Sequence, residues 1–571
     1  MEQTPVLIAG GGPVGLMLAL ELDYHGIDAV LVERNPTTTR HPKMDITNGR
    51  SMELFRRLGV IDALRAEAVP EDHPVSVIWA DNLAGRELTR FDYPSVNEMR
   101  RILREKNDGT MAAEPSMRIS QVQLEPVLKG VLENGSQHVS VRFGWGLETF
   151  IQDDDGVTAT IRHTGTGKAE RIRARYLAGC DGAGSVTRGT LGIPVNTITP
   201  ADYLAAGDDH HNYLDTARGE PPEDAERVRS MFMIHWTSPE LDLFERFGKA
   251  WHIQSPMGWS IISQNDRDTW TVHIPVPAIR DPEDRDPKEI LFEFLGCEFE
   301  CEVQVANPWG PRLGLADSYG AGRVWLAGDS AHQFIPTGGY GMNSGLCDAM
   351  GLAWVLAANV RGWGTPALFE AYEIERRHVA ARARIGSARH AAVRYRIAEQ
   401  YDPLLHEDSD AGAAKRVEVG AFIKDAGNLE NEAWGLEWGY RYADSPVVCH
   451  ERGEAPDYEW ERYVPGTWPG ARAPNVFLPD GRPIFDTLGR AFTLLSFGGG
   501  PCLPIEEASR KVGLPLSVVH IEDPHAASLY ERRLVLVRPD QHVAWRGNAD
   551  PTPAEATLIV NRVRGAHGET S

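Results

Sequence analysis

The sequence predicts an α/β fold in three parts: a parallel sheet assembled from distant stretches of chain, an antiparallel sheet between them, and a small mixed unit at the end. Three observations lead there. The first 33 residues alternate strand, glycine-rich turn, helix and strand. Residues 190–305 alternate aromatic and β-branched residues broken by turns. A proline- and glycine-rich stretch, 455–489, opens a tail of short strand-like runs.

Composition bounds the possibilities. A chain of 571 residues exceeds one ordinary domain. Its 42% hydrophobic and 24% charged residues are those of a globular protein with a large core. A net charge of −23 excludes nucleic acid and anionic membrane as main partners, because both need a basic face. Six scattered cysteines fit a reducing, cytoplasmic setting. The apolar N-terminus lacks a basic leader region, and glycines interrupt it, so neither signal peptide nor membrane span is expected. No metal is expected either. Cys297 and Cys301 lack a second ligand pair, and the polar run "GDDHHNY" (207–213) is contiguous on a loop.

In "TPVLIAGGGPVGLMLALELDYHGIDAVLVER", Val6 to Ala9 reads as a buried strand, and "DAVLVE" as a second strand ending at Glu33. Between them Gly10, Gly12 and Gly15 form G-x-G-x-x-G. Gly10 permits a tight turn, Gly12 lets backbone approach a pyrophosphate, and Gly15 lets helix and strand pack closely. Pro13 opens the helix, whose N-terminus faces the phosphates, and Glu33 accepts the ribose hydroxyls. An acid there favours an unphosphorylated ribose, hence FAD or NAD. Val14, inside the motif, and Arg34, after the acid, join the cofactor set.

Two later segments extend this Rossmann-like unit. "ARYLAGCDGAGSVTRGTLGI" (174–193) leads from a strand into Asp181-Gly182. "GRVWLAGDSAHQFIPTGGYGMNSGLCDAMGLAWVL" (322–356) leads from a strand to Asp329, then through Pro336 and a glycine loop into a helix expected to begin near Ser344. A carboxylate at a strand's carboxyl end suits a ribose or ribityl hydroxyl. A helix N-terminus suits the anionic N1–O2 edge of a reduced isoalloxazine.

The ordered motifs resemble those of the group A flavoprotein monooxygenases, the aromatic hydroxylases that include para-hydroxybenzoate and phenol hydroxylases. They are Gly10–Gly15, Asp181-Gly182, and Gly328-Asp329 followed by Pro336, Gly339, Gly341 and Asn343; "RISQ" at 118–121 also matches. Ser330 and Gly184 depart from that pattern, where alanine and arginine are usual. The resemblance implies FAD contacts from Gln121, Asp181, Asp329, Pro336, Gly341, Met342 and Asn343, and a pyrophosphate cation at Lys43 or Arg50. It implies an FAD-binding domain in two parts, 1–189 and 306–400, enclosing an antiparallel β-sheet substrate domain, 190–305. A connecting segment, 401–454, then leads to a thioredoxin-like domain, 455–571, without C-x-x-C. The tryptophans 236, 251, 259 and 270 are candidates to stack on substrate or simply to pack the sheet.

The implied activity is NAD(P)H-dependent hydroxylation of a small phenolic or polyketide-like aromatic with O2, through a C4a-hydroperoxyflavin. Baeyer–Villiger oxygenation or epoxidation on the same fold, and a non-catalytic flavin carrier, are the alternatives. A homodimer is a further expectation. In the match to phenol hydroxylase, Asp45, five residues before Arg50, faces the substrate hydroxyl. A carboxylate in an apolar flavin pocket is expected to have a raised pKa and to take the phenol proton. The alternative for Asp45 is a turn cap or a bond to a backbone amide.

Overall fold

The computed structural model describes residues 1–198, 231–276, 279, 284–457, 459–500 and 502–566. The polar run 207–213 lies outside them. The main sheet joins segments far apart in the chain. Its strands run Gly320–Ala321, Val324–Leu326, Ala169–Gly179, Glu2–Ala9, Ala29–Glu33 and Val139–Phe143. Every pairing from Val324–Leu326 to Val139–Phe143 is parallel. Along the strand Glu2–Ala9, the faces alternate as a strand requires: Val6 and Ile8 meet the core of helices Pro13–Tyr24 and Tyr340–Arg361, while Leu7 and Ala9 meet Phe150, Ala159 and Ile161 of a flanking hairpin. "HTGTGKAE" turns Val157–His163 antiparallel onto Ala169–Gly179, as its composition predicts.

The second sheet has seven strands, in the order Glu302–Trp309, Met231–Thr237, Thr269–Pro275, Ser260–Ser263, His252–Gln254, Val75–Ala80 and Glu87–Tyr93. Two of these come from a region the sequence reading gave to the first unit. Val75–Ala80 pairs in parallel with His252–Gln254 because Val77 and Trp79 complete an apolar cluster with Trp251, Ile397 and Val419. Trp236, Trp259 and Trp270 are buried in this sheet's own core. Of the four candidate tryptophans, only Trp251 lines the cavity described below.

In the tail, Phe492–Phe497 and Leu516–Ile521 pair in parallel on either side of helix Leu503–Val512, and Leu534–Val537 and Val543–Gly547 add antiparallel. With helices Pro524–Tyr530 and Pro553–Val563 this is a thioredoxin-like arrangement. Cys502 sits buried and unpaired at the start of its first helix. Among the described residues, no cluster of His, Cys, Asp and Glu could hold a metal ion, and no helix is long and apolar enough to cross a membrane.

Candidate active site

One cavity of about 1130 Å³ runs from the glycine turn at Gly10 to the short helix Trp434–Trp438. At its nucleotide end, backbone sets the shape. Gly10 adopts φ 107°, and a Cβ there would lie 2.2 Å from the Cys180 carbonyl oxygen. A Cβ on Gly15 would lie 1.9 Å from the Gly10 oxygen. Gly12 caps the helix and Pro13 begins it. Val14 reaches across to the second motif, where a Cβ on Gly328 or Gly345 would collide with it. Glu33 accepts hydrogen bonds from the Gly11 N–H at 2.7 Å and the Asn35 N–H at 2.8 Å, and with Arg34 it borders the cavity.

The middle of the cavity gathers Lys43, Gln121, Asp181, Asp329, Pro336, Gly341, Met342 and Asn343. Helix Tyr340–Arg361 begins one turn earlier than the sequence indicates, because Gly339 caps it at φ 65°. Its first-turn N–H groups therefore belong to Tyr340 through Asn343, of which Gly341, Met342 and Asn343 border the cavity. Asp329 follows Gly328 in a single 3₁₀ turn. Behind that turn Asp348 accepts the Gly328 N–H at 3.1 Å and pairs with His332 at 2.6 Å and Arg376 at 2.7 Å. Asp329 has no hydrogen-bond partner among the described residues and is exposed to the cavity; desolvation by the surrounding protein raises its pKa, against the pull of His332 and Lys43. Ser330, the departure from the family pattern, donates to the Gly179 carbonyl at 2.6 Å, tying this turn to the neighbouring strand.

These contacts correct one expectation, for Arg50, and show what the side chains of two others, Asp181 and Asn343, bind within the protein. Arg50 does not face the cavity. It is buried against Glu53 at 3.1 Å, the Asp540 carbonyl at 2.8 Å and Gln541, so its charge is spent inside the protein. The Asp181 carboxylate borders the cavity but accepts from Ser185, from the Thr187 N–H at 2.9 Å and from the Thr187 hydroxyl at 3.0 Å, capping a short helix. The Asn343 side chain is likewise spent on protein groups. Its oxygen accepts from the Asn48 N–H at 3.0 Å and the Ser51 hydroxyl at 2.6 Å, and its amide donates to the Gly339 carbonyl at 2.7 Å. Asn343 thereby pins the segment that carries Asp45.

Asp45 lies on the other side of that pin. The strand Ile46–Thr47 pairs with Met117–Arg118, and the Ile119 N–H donates to the Asp45 carbonyl at 3.0 Å. The Asp45 carboxylate accepts from the Trp251 indole N–H and stands 3.7 Å from His252 Nε2. Burial pushes its pKa up. The His252 imidazole, the Trp251 bond and the Arg118 charge outweigh that and hold it below the ordinary carboxylate value, opposite to the expected direction. His252 Nε2 is buried without a hydrogen-bond partner. His273, in the same wall, accepts from the Trp309 indole at 3.0 Å, and burial lowers its pKa to about 4.

Sequence reasoning missed several groups here. Glu125, one helical turn after Gln121, accepts the Gln121 amide at 2.7 Å and the Thr39 N–H at 2.8 Å, close to Gly12. Glu430 pairs with Arg394 at 2.8 Å, and the segment read as a connector supplies Glu430, Trp434, Glu437 and Trp438 to the cavity. The i, i+4 spacing of the two tryptophans was the one available signal for the last three.

The arrangement fits FAD. The cradle that a Cβ would fill at Gly10 and Gly15, the helix N-terminus at Gly341–Asn343 and the unpartnered Asp329 lie along one cavity, which Lys43 borders and Arg50 does not. Fold and site together define a flavoprotein with a substrate chamber against its flavin end. Residues 3–385 match the FAD binding domain family, and residues 466–566 match the aromatic-ring hydroxylase C-terminal family. The FAD-dependent monooxygenase apdD of Emericella nidulans is 35% identical over 99% of this chain and 90% of its own. Phenol 2-monooxygenase of Pseudomonas sp. is 28% identical over 97% of this chain and 91% of its own. Among solved structures, RebC with bound 7-carboxy-K252c superposes with a TM-score of 0.84 at 33% identity, covering 99% of both chains. The chain belongs to the FAD-dependent aromatic hydroxylases of the group A flavoprotein monooxygenases, and it is an FAD-dependent monooxygenase.

Proposed function

We propose that this monooxygenase uses NAD(P)H and O2 to hydroxylate a phenolic aromatic whose hydroxyl sits on Asp45 and His252. The observation that carries this is the pair itself: a carboxylate held ionised beside an orphaned imidazole nitrogen, in the cavity that also holds Asp329 and the Tyr340 helix start. The name of the phenol 2-monooxygenase relative supports hydroxylation over Baeyer–Villiger chemistry.

The 3.7 Å between Asp45 and His252 is too long for a hydrogen bond, but an oxygen about 2.8 Å from each would fit between them. A phenol there donates its O–H to the Asp45 carboxylate, while a proton on His252 Nε2 donates to the phenolic oxygen and stabilises the charge that forms on it. A carboxylate of lowered pKa is too weak a base to hold a phenol proton alone. Asp45 is better suited to orient the hydroxyl and to stabilise a protonated His252. Trp251 fixes the carboxylate's direction. FAD, when bound and reduced, supplies the electrons that activate O2 for transfer to the ring. Lys43, Asp329 and the first turn at Tyr340–Asn343 would hold it, and the apolar walls exclude water from the ring.

The test is Asp45→Asn. The variant should keep its FAD and still consume nicotinamide nucleotide. Hydroxylated product should fall about 10²–10⁴-fold and H2O2 should rise. Product formation and coupling at wild-type level near neutral pH would remove Asp45 from the mechanism.

A further inference from the structure

The cavity holds two glutamates on the wall formed by residues 430–438, and they differ. Glu430 is matched by Arg394, which donates to it at 2.8 and 3.0 Å, and stays below the ordinary carboxylate pKa. Glu437 has no hydrogen-bond or ionic partner among the described residues, and burial alone pushes its carboxyl up to about 8. It borders the cavity between Trp434 and Trp438, whose rings stack at 6.0 Å and 17°.

The helix that carries the three is rigidly set. Leu436 packs against Tyr340 and Gly386, and a Cβ on Gly435 would lie 1.9 Å from the Glu459 carbonyl oxygen. Trp438 abuts Gly49, four residues past Asp45. The wall is therefore close to the segment that positions the hydroxylation site. Glu437 is half-buried and opens on the cavity, so its carboxyl is satisfied by whatever fills that cavity, and the flanking indoles offer a molecule there a flat apolar surface.

We propose that Glu437, flanked by Trp434 and Trp438, is a specificity-determining residue that accepts a hydrogen bond from a second O–H or N–H on a planar, fused-ring phenol. The proposal rests on the hydroxylase reading above and narrows its substrate class to fused-ring phenols with two donors.

The experiment compares two probes of nearly equal shape, 2,7-dihydroxynaphthalene and 7-fluoro-2-naphthol. Dissociation constants for the FAD-loaded protein are read from tryptophan quenching and from the visible spectrum of the bound flavin. Wild type should bind the diol about 10-fold more tightly, the scale of one hydrogen bond in a buried site. Glu437→Leu should bring that ratio to about one by weakening the diol alone, with FAD occupancy unchanged. Glu437→Gln keeps an acceptor oxygen and should retain part of the preference. Equal binding of the two probes by wild type, the same ratio in Glu437→Leu, or no binding of either probe would overturn the assignment. Product and H2O2 are measured in the same samples. A Glu437-dependent ratio without hydroxylation leaves the specificity role standing and sinks the hydroxylase reading. Hydroxylation of both probes without dependence on Glu437 does the reverse.

Discussion

The two ends of the cavity are built from different material. At the nucleotide end, the groups that shape the site are backbone: the turn at Gly10, the helix start at Gly12, and the second helix start at Tyr340. At the other end, proposed above for the substrate, they are side chains, Asp45, Trp251, His252, His273 and Glu437, delivered by separate segments. The turn at Gly10 and the packing at Gly15 leave no room for an added atom, whereas a side-chain wall can change one group at a time. The first end is therefore committed to one cofactor, and the second is free to vary its substrate.

The largest test of that difference is Gly10→Ala. A methyl 2.2 Å from a backbone oxygen, at φ 107°, leaves no relaxed position. The variant should purify without flavin, read from its visible absorbance against protein content. Full occupancy would show that the turn is not the rigid element described here. Next comes Arg50→Ala, which should lower stability by about 3–5 kcal/mol, because it leaves Glu53 less compensated in a buried cluster. Denaturant melts would report that loss while flavin content stays at wild-type level. A flavinless but fully stable Arg50→Ala would reverse the assignment. Asp329→Ala should weaken FAD by about 1.5–3 kcal/mol, the value of a charge-assisted hydrogen bond. An unchanged FAD dissociation constant, from fluorescence titration, would remove Asp329 from the cofactor site.

The smallest effect concerns Glu437 and pH. Its pKa of about 8 in the folded chain exceeds the ordinary glutamate value of 4.5, so the folded state binds its proton more tightly. The resulting stability is complete below about pH 4.5 and is lost as pH rises through about 8. Glu437→Gln should therefore flatten the melting temperature between those limits and melt higher than wild type at pH 8. Parallel curves for the two proteins would place Glu437 in contact with solvent.

The difference between the two ends also decides what the sequence reveals. Gly10, Gly15 and Glu33 act within one strand–helix–strand unit, so spacing alone exposes them. The Asp329 turn is legible for the same reason. Trp251 reaches Asp45 across 206 residues, and no local pattern marks His252 as the imidazole beside it. Asp45 was found from its offset to Arg50 in the phenol hydroxylase resemblance, yet its pKa runs opposite to the expected direction because its neighbours come from the other sheet. Arg50 shows the converse. Its offset suited a cofactor cation, but Gln541, 491 residues away, takes its guanidinium. Glu437 sits in a stretch whose composition reads as a connector, and nothing in a single chain marks a glutamate as unpartnered.

The buried cluster around Arg50 has a consequence for synthesis. Glu53, on the helix that follows the Asp45 segment, is paired with Arg472 as well as Arg50, and Arg50 also donates to the Asp540 carbonyl and the Gln541 side-chain oxygen. A nascent chain that has emerged only as far as residue 470 already carries every glycine of the nucleotide turn. Its helix Gly49–Arg57 already holds the Arg50–Glu53 pair but lacks the Arg472 guanidinium and the oxygens of Asp540 and Gln541 that surround that pair in the folded chain. The helix beside the Asp45 segment therefore gains its full set of folded partners only once residues 472, 540 and 541 have been made.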